Sequence, residues 1–123
     1  MAATALDYLD FDYSEDDEGT GTWDSMACPQ PQQLSALYAE IDQLLTWAHR
    51  QFPGRRGPRE EGGDWDWELQ AQHEDGTPLT LAYDGASARL QAPIALPGER
   101  VTVTLTLSGS PAFGEALHEA FDI

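Results

Sequence analysis

Carboxylates are the side chains of this chain whose type and spacing favour chemistry. They alternate with bulky apolar residues in YLDFDYSEDDEGTGTWDSMA (8–27), which includes four consecutive acids, and again in DWDWELQAQ (64–72). Such groups bind calcium, act as a paired acid and base, or attract a basic partner. The candidate site residues are Asp10, Asp12, Glu15, Asp16, Asp17, Glu18, Asp64, Asp66 and Glu68.

The acidic run does not match the calcium loop of an EF-hand. That loop needs oxygen ligands at positions 1, 3, 5 and 12 and a glycine at position 6. Registers that begin at Asp10 or Asp12 place an acid at the glycine position. The register from Ser14 places Gly19 correctly but puts serines at both ends of the loop. A calcium site of another kind stays open, because the acids are dense.

Histidine and cysteine are too scattered to predict a transition-metal site or a nucleophile pair. His49, His73 and His118 lie far apart, and Cys28 is the single cysteine, whereas zinc sites cluster such side chains at short spacing. We expect surface or helix-end histidines and a half-buried, packing Cys28. The chain also lacks a phosphate loop and a dinucleotide fingerprint. The sequence therefore assigns no catalytic residue, no metal ligand and no cofactor.

The charge of the chain restricts its partners. There are 22 Asp and Glu against 6 Lys and Arg, which gives a formal net charge of −16. Every base is an arginine, and none precedes Arg50. Negative charge of this size repels nucleic acid and anionic membranes, so we expect neither as a partner. Any charged partner is expected to be a basic protein.

Length and composition predict a single cytoplasmic domain over 1–123. Hydrophobic residues make up 41% of the chain, which is enough for a packed core. The first residues resemble no signal peptide, no apolar run has the length of a membrane span, and the lone cysteine requires no oxidising compartment. Arginine without lysine, together with many alanines, glycines and prolines, indicates a G+C-rich bacterial genome.

Hydrophobic periodicity predicts the order ββαββββα. Alternation indicates strands at about 9–14, 22–27, 64–72, 78–83, 87–92 and 99–107, and helical spacing indicates helices over 32–52 and 110–121. A long loop is predicted at 53–63, directly after the first helix. Ser110 is predicted to cap the second helix, with Pro111 in its first turn. Because hairpins dominate, we expect an α+β two-layer sandwich: one mostly antiparallel sheet with both helices packed on one face.

Alternation also assigns the two faces of the sheet. The residues expected to point inward are Leu9, Phe11, Tyr13, Trp23, Ser25, Ala27, Trp65, Trp67, Leu69, Ala71, Val101, Val103, Leu105 and Leu107. Over 22–27 the alternation also permits Thr22, Asp24 and Met26 to point inward, and we favour the phase with Trp23 inward. The carboxylates then lie on the outer face. Like charges directly opposite each other destabilise neighbouring strands. We therefore expect the strand that carries Thr102, Thr104 and Thr106 to separate the two acidic rows.

The leading functional hypothesis is a small non-enzymatic binding protein. Its acidic sheet face and acidic hairpin would dock a basic protein partner through the nine carboxylates. An alternative is an enzyme, or a small-ligand or metal-binding protein, that uses the carboxylates beside an aromatic groove lined by Trp23 or Trp47. A further alternative is a solvated face that only keeps the chain soluble. The sequence specifies neither the partner nor the oligomeric state.

Overall fold

A computed structural model of the chain describes residues 6–57, 61–84, 89–91 and 98–121. Two helices lie in these ranges: α1 (Leu34–Gln51), which follows a 3-10 turn at Pro31–Gln33, and α2 (Pro111–Ala120). The strands in these ranges are β1 (Asp12–Glu15), β2 (Gly21–Ala27), β3 (Trp65–Gln72), β4 (Pro78–Leu79), β5 (Ala82–Asp84), β6 (Arg89–Gln91) and β7 (Thr102–Gly109).

The strands form a five-stranded antiparallel sheet in the order β1-β2-β7-β3-β4 and a separate antiparallel pair, β5-β6. The α+β prediction is therefore confirmed. The order of elements is ββαβββββα, because the single strand expected over 78–83 is divided into β4 and β5, which pair with different strands. Pro78 has no N–H to donate, which suits a short strand at the edge of the sheet. Parts of the predicted segments 53–63 and 87–92 lie outside the described residues.

Strand β7 forms the centre of the core. Val103, Leu105 and Leu107 are fully buried, and the threonines between them are only partly covered. Trp23, Ser25 and Ala27 of β2 also point inward, as the alternation predicts. Side chains of both helices join the same apolar cluster, including Leu37, Ile41, Leu44, Leu45, Phe113 and Leu117. Each such side chain stabilises the fold by roughly 1.5–3 kcal/mol when fully buried.

Local sequence signals place the start of α2 and the end of α1. The Ser110 hydroxyl accepts a hydrogen bond from the amide of Phe113 at 3.2 Å, with Pro111 in the first turn of α2. This satisfies one of the amides that a helix start leaves without a partner. Helix α1 ends at Gln51, and Gly54 then adopts a positive φ of 69°. Pro53 cannot continue a helix, so the chain turns away there.

Phe113 is the centre of an aromatic cluster that joins α2 to the sheet. Its ring stacks on Trp65 at a centroid distance of 5.6 Å and meets the edge of Trp23 at 5.8 Å. A Cβ on Gly109 would lie 2.3 Å from the Phe113 ring, so this close approach requires glycine. Trp65 is fully buried and Trp67 is half-buried, in agreement with their predicted inward orientation.

The segment before β1 is held by side chains instead of by strand pairing. The Glu40 carboxylate on α1 accepts hydrogen bonds from the amides of residues 7–9 at 2.8–3.3 Å. The buried Ser25 hydroxyl accepts one from the amide of Asp10 at 3.2 Å. The first strand therefore begins later than predicted, at Asp12. Leu9 is buried as expected, whereas Tyr13 shares the side of Trp23 but stays 56% exposed at the sheet edge.

His49 is a helix-end residue, as predicted, but its ring points inward. It stacks on Tyr83 at 5.1 Å and meets Trp65 edge-on at 5.0 Å. Its Nε2 is buried and has no hydrogen-bond partner within the described residues. Desolvation by burial lowers the pKa of His49, and the nearby Arg56 lowers that pKa further. Burial therefore outweighs the attraction between a protonated histidine and the helix C-terminus.

We predict that Glu40→Ala destabilises the protein by about 2 kcal/mol, because several amides lose a charged acceptor. Glu40→Gln should have a smaller effect, since the amide retains one acceptor oxygen. Urea unfolding monitored by tryptophan fluorescence measures both. The control Glu119→Ala removes an exposed carboxylate from α2 and should change stability by less than about 0.5 kcal/mol. Equal effects at Glu40 and Glu119 would contradict the anchoring role.

We also predict that His49 makes the folded state sensitive to mild acid. Its pKa is about 6.5 in an unfolded chain and lower in the folded protein. Below about pH 6.5 the unfolded state therefore binds more protons, and stability falls as pH decreases towards the folded pKa. Urea unfolding at about pH 7.5 and about pH 5.5 should show a larger loss for the wild type than for His49→Phe. Identical losses would show that His49 does not contribute.

Candidate docking site

A row of carboxylates crosses the outer face of the sheet. Asp12 on β1 lies directly opposite Asp24 on β2, and Asp24 lies opposite Thr106 on β7. Thr106 in turn lies opposite Glu68 on β3, and its hydroxyl donates a hydrogen bond to Asp24 at 2.8 Å. The prediction that the threonine strand separates the acidic strands is therefore confirmed. We call these four residues the outer row.

The pair Asp12 and Asp24 is an exception to the rule that like charges avoid direct opposition. Both side chains are exposed. The ion pairs found within the described residues involve Asp64, Asp66 and Glu99, and none reaches Asp12 or Asp24. Opposed like charges destabilise a strand pair. The first hairpin thus carries repulsion that no ion pair in the described part of the chain relieves.

Two of the predicted site residues are instead engaged within the protein. Asp64 and Asp66 accept hydrogen bonds from Arg55 at 2.6 Å and from Arg56 at 2.9 Å. The Arg56 guanidinium also stacks over the Trp67 ring, 4.4 Å from its centroid. The sequence placed these aspartates on an open docking face. The structure shows instead that the preceding loop neutralises them, so they have less charge to offer a partner.

One carboxylate of the acidic turn between β1 and β2 holds the turn together, and the others extend its exposed negative surface. The Asp16 carboxylate accepts hydrogen bonds from the amides of Glu18 and Thr20, each at 2.9 Å. Gly19 closes the turn with a positive φ of 84°. The side chains of Glu15, Asp17 and Glu18 are exposed. Of the four consecutive acids, Asp16 therefore orders the turn and the other three extend its negative surface.

A groove of about 480 Å³ lies at the base of this turn, on the inner side of β1. Phe11, Tyr13 and Trp23 contribute aromatic rings to it, and Glu15 on β1 and Glu115 on α2 contribute carboxylates. Trp23 therefore lines a groove beside the acidic hairpin. Trp47 packs elsewhere, with its ring edge-on to Phe121 at 5.2 Å.

The Tyr13 phenol is coupled to the acidic hairpin. Partial desolvation raises its pKa, and the Glu15 carboxylate raises that pKa further through its charge and a hydrogen bond. A raised pKa keeps the phenol neutral at physiological pH. The exposed ring therefore presents an uncharged aromatic face beside the Glu15 carboxylate.

Sequence reasoning missed two acidic residues of this region. Asp24 alternates with Trp23 and Ser25, so the phase with Trp23 inward predicts that Asp24 points outward. Its position opposite Asp12 depends on the length of the turn, which the pattern does not give. Glu115 lies on α2, and only the folded chain brings it to the groove. Asp10 is exposed beside β1, as expected. Cys28 was predicted to be half-buried and is exposed, so that prediction is wrong.

Comparisons with models of protein families, with curated proteins and with solved structures found no match to this chain. Within the described ranges, no three His, Cys, Asp or Glu side chains converge in a way that would hold a metal ion. Neither α1 nor α2 is long and apolar enough to cross a membrane. The acidic surface and the groove are therefore the features of the described residues from which a function can be inferred.

We predict that Asp16→Ala destabilises the protein by about 1 kcal/mol, because two turn amides lose their acceptor. Asp17→Ala removes the same charge from the next position and should change stability by less than about 0.5 kcal/mol. Urea unfolding of both variants gives the comparison. If Asp17→Ala is as destabilising as Asp16→Ala, the turn does not depend on the Asp16 hydrogen bonds.

Proposed function

We propose that this chain is a non-enzymatic binding protein that docks a basic protein partner on the outer face of its five-stranded sheet. The observation that carries the proposal is the outer row, in which Asp12 and Asp24 are opposed without an ion-pairing partner among the described residues. The exposed acids of the turn continue this surface at one end.

Electrostatics favours a cationic partner at this surface. Two like charges about 4 Å apart repel by about 1 kcal/mol in water, and more where the surface is partly dry. A lysine or arginine placed between Asp12 and Asp24 would relieve this repulsion and add attraction of its own. Complementary charge also accelerates association, and salt weakens it. The proposed interaction is therefore fast and sensitive to ionic strength.

The outer face also offers an apolar contact next to the charges. Met26 lies two residues from Asp24 on β2 and is 73% exposed. Thr104 lies opposite Met26, and Gln70 lies opposite Thr104, so this neighbouring row is neutral. Methionine is flexible and adapts to irregular surfaces. The proposed docking surface thus combines a neutral row containing an apolar side chain with a negatively charged row.

We propose that six acids contact the partner. Asp12, Glu15, Asp17, Glu18, Asp24 and Glu68 have exposed carboxylates facing solvent. Asp16, Asp64 and Asp66 have structural partners within the chain and are given a supporting role. The proposal includes a cytoplasmic location in a bacterium, where the exposed Cys28 would stay reduced. Nucleic acid and anionic membranes are not proposed as partners, because their charge has the same sign.

We predict that removing charge from the outer row weakens the binding of a basic probe more than removing the same charge elsewhere does. The test variant combines Asp12→Asn, Asp24→Asn and Glu68→Gln, and the control combines Glu61→Gln, Glu74→Gln and Glu119→Gln. All six acids are exposed, and both variants lose three negative charges. At about 0.5 kcal/mol for each contact, the test variant should bind about tenfold more weakly than the control.

The probe is a fluorescently labelled decalysine peptide, and the measurement is its anisotropy at about 0.05 M and about 0.5 M salt. The wild type and the control should bind similarly at low salt, and binding should weaken strongly at high salt. An equal loss of affinity in both variants would show that only total charge matters. The outer row would then be a solvated face, and the proposed docking function would be overturned.

A further inference from the structure

The groove beside the acidic hairpin is built around two aromatic rings. The Tyr13 and Trp23 rings lie 5.1 Å apart at an angle of 45°. Gly21 and Gly114 leave room for Trp23: a Cβ on Gly21 would lie 2.7 Å from this ring, and one on Gly114 would lie 3.1 Å from it. The β2 and α2 backbones can therefore approach the Trp23 ring closely, because glycine has no side chain at either position. Both rings line this open recess: Tyr13 is exposed there, and Trp23 lies largely buried beneath the two glycines.

In the described part of the chain, the titratable groups that line the recess are Tyr13, Glu15, Glu115 and His118. The Glu15 and Glu115 side chains are exposed and come from opposite sides, one from β1 and the other from α2. Among the described residues that line the groove there is no arginine and no lysine. Aromatic faces attract cations, and carboxylates hold them by charge-assisted hydrogen bonds. The recess is therefore complementary to a cation.

The same protein already binds a guanidinium with this combination of groups. Arg56 stacks 4.4 Å from the centroid of the Trp67 ring while its Nε donates to the Asp66 carboxylate at 2.9 Å. The recess repeats this pairing of ring and carboxylate, and its described lining residues include neither an arginine nor a lysine. A guanidinium is planar, stacks on aromatic rings and is more weakly hydrated than an ammonium group. These properties favour arginine over lysine as the occupant.

We infer that the recess receives an arginine side chain of the basic partner. This inference rests on the proposed docking function and adds a specific anchor to it. Strand β1 connects the two surfaces, because Asp12 faces the outer row and Tyr13 faces the recess. A partner that crosses the edge of β1 would place one cation on the outer face and an arginine in the recess. Charge attracts the partner, and the recess selects the side chain.

The test uses single amino acids, so that it does not depend on the outer row. Acetyl-arginine amide, acetyl-lysine amide and the neutral isostere acetyl-citrulline amide are each titrated into ¹⁵N-labelled protein. The signals followed are the Trp23 indole N–H and the amides of Gly21 and Gly114. The arginine derivative should shift them saturably and at least about threefold more tightly than the lysine derivative. Citrulline should shift them little, because it has no charge.

Two variants on one helix provide the matched control. Glu115→Gln and Glu119→Gln remove the same charge from exposed positions of α2 one turn apart, but only Glu115 lines the groove. Glu115→Gln should weaken arginine binding about threefold, and Glu119→Gln should leave it within about 1.5-fold of the wild type. Tyr13→Ala, at an exposed position, should weaken it about threefold or more. An unchanged amide spectrum elsewhere shows that each variant is folded.

Equal shifts with citrulline and arginine, or equal effects of Glu115→Gln and Glu119→Gln, would overturn the recess as an arginine site. The decalysine comparison distinguishes this failure from failure of the docking function. If the outer-row variant binds decalysine more weakly than the control does, and the arginine derivative does not bind the recess, only the arginine anchor is wrong. If arginine binds the recess but both triple variants behave alike, the anchor is supported as a site and docking on the outer face is overturned.

Discussion

The fold depends on the two different faces of β7. Its inward residues, Val103, Leu105 and Leu107, must be fully apolar because the core that the helices share lies over them. Its outward threonines add no negative charge to that of the acidic strands that flank it on both sides. A carboxylate in place of Thr106 would lie between Asp24 and Glu68 and would be repelled by both. The central strand thus meets a hydrophobic requirement and an electrostatic one with alternating residues.

Most of the secondary structure follows from local patterns. The apolar stripe of α1, the cap at Ser110 and the alternation of β2, β3 and β7 are all readable from neighbouring residues, and the structure confirms them. The division of 78–83 into two strands was not readable, because its halves pair with different strands. The Glu40 anchor was also missed, since its acceptor lies about thirty residues from the amides it binds.

The residue types of the site could be predicted from the sequence, but their contacts with other elements could not. The acidic rows are visible in the sequence, and their separation by a threonine strand follows from simple repulsion. The ion pairs of Arg55 and Arg56 with strand aspartates depend on the path of the loop before β3. The groove depends on α2 meeting the first hairpin, with Gly21 and Gly114 more than ninety residues apart. Contacts of this kind arise only from tertiary structure, which no local pattern encodes.

The contact of Arg56 with β3 has a consequence for self-association. Among the described residues, strand β4 pairs with only the last two residues of β3, which would leave the rest of that edge open to another strand. Arg56 forms a parallel bridge with Trp65 there, and its side chain covers Trp67. At the opposite edge, β1 is short and carries acids at both ends. Sheet edges that are neither covered by another segment nor short and charged promote aggregation. Both edges of the sheet thus carry features that disfavour edge-to-edge pairing with another copy.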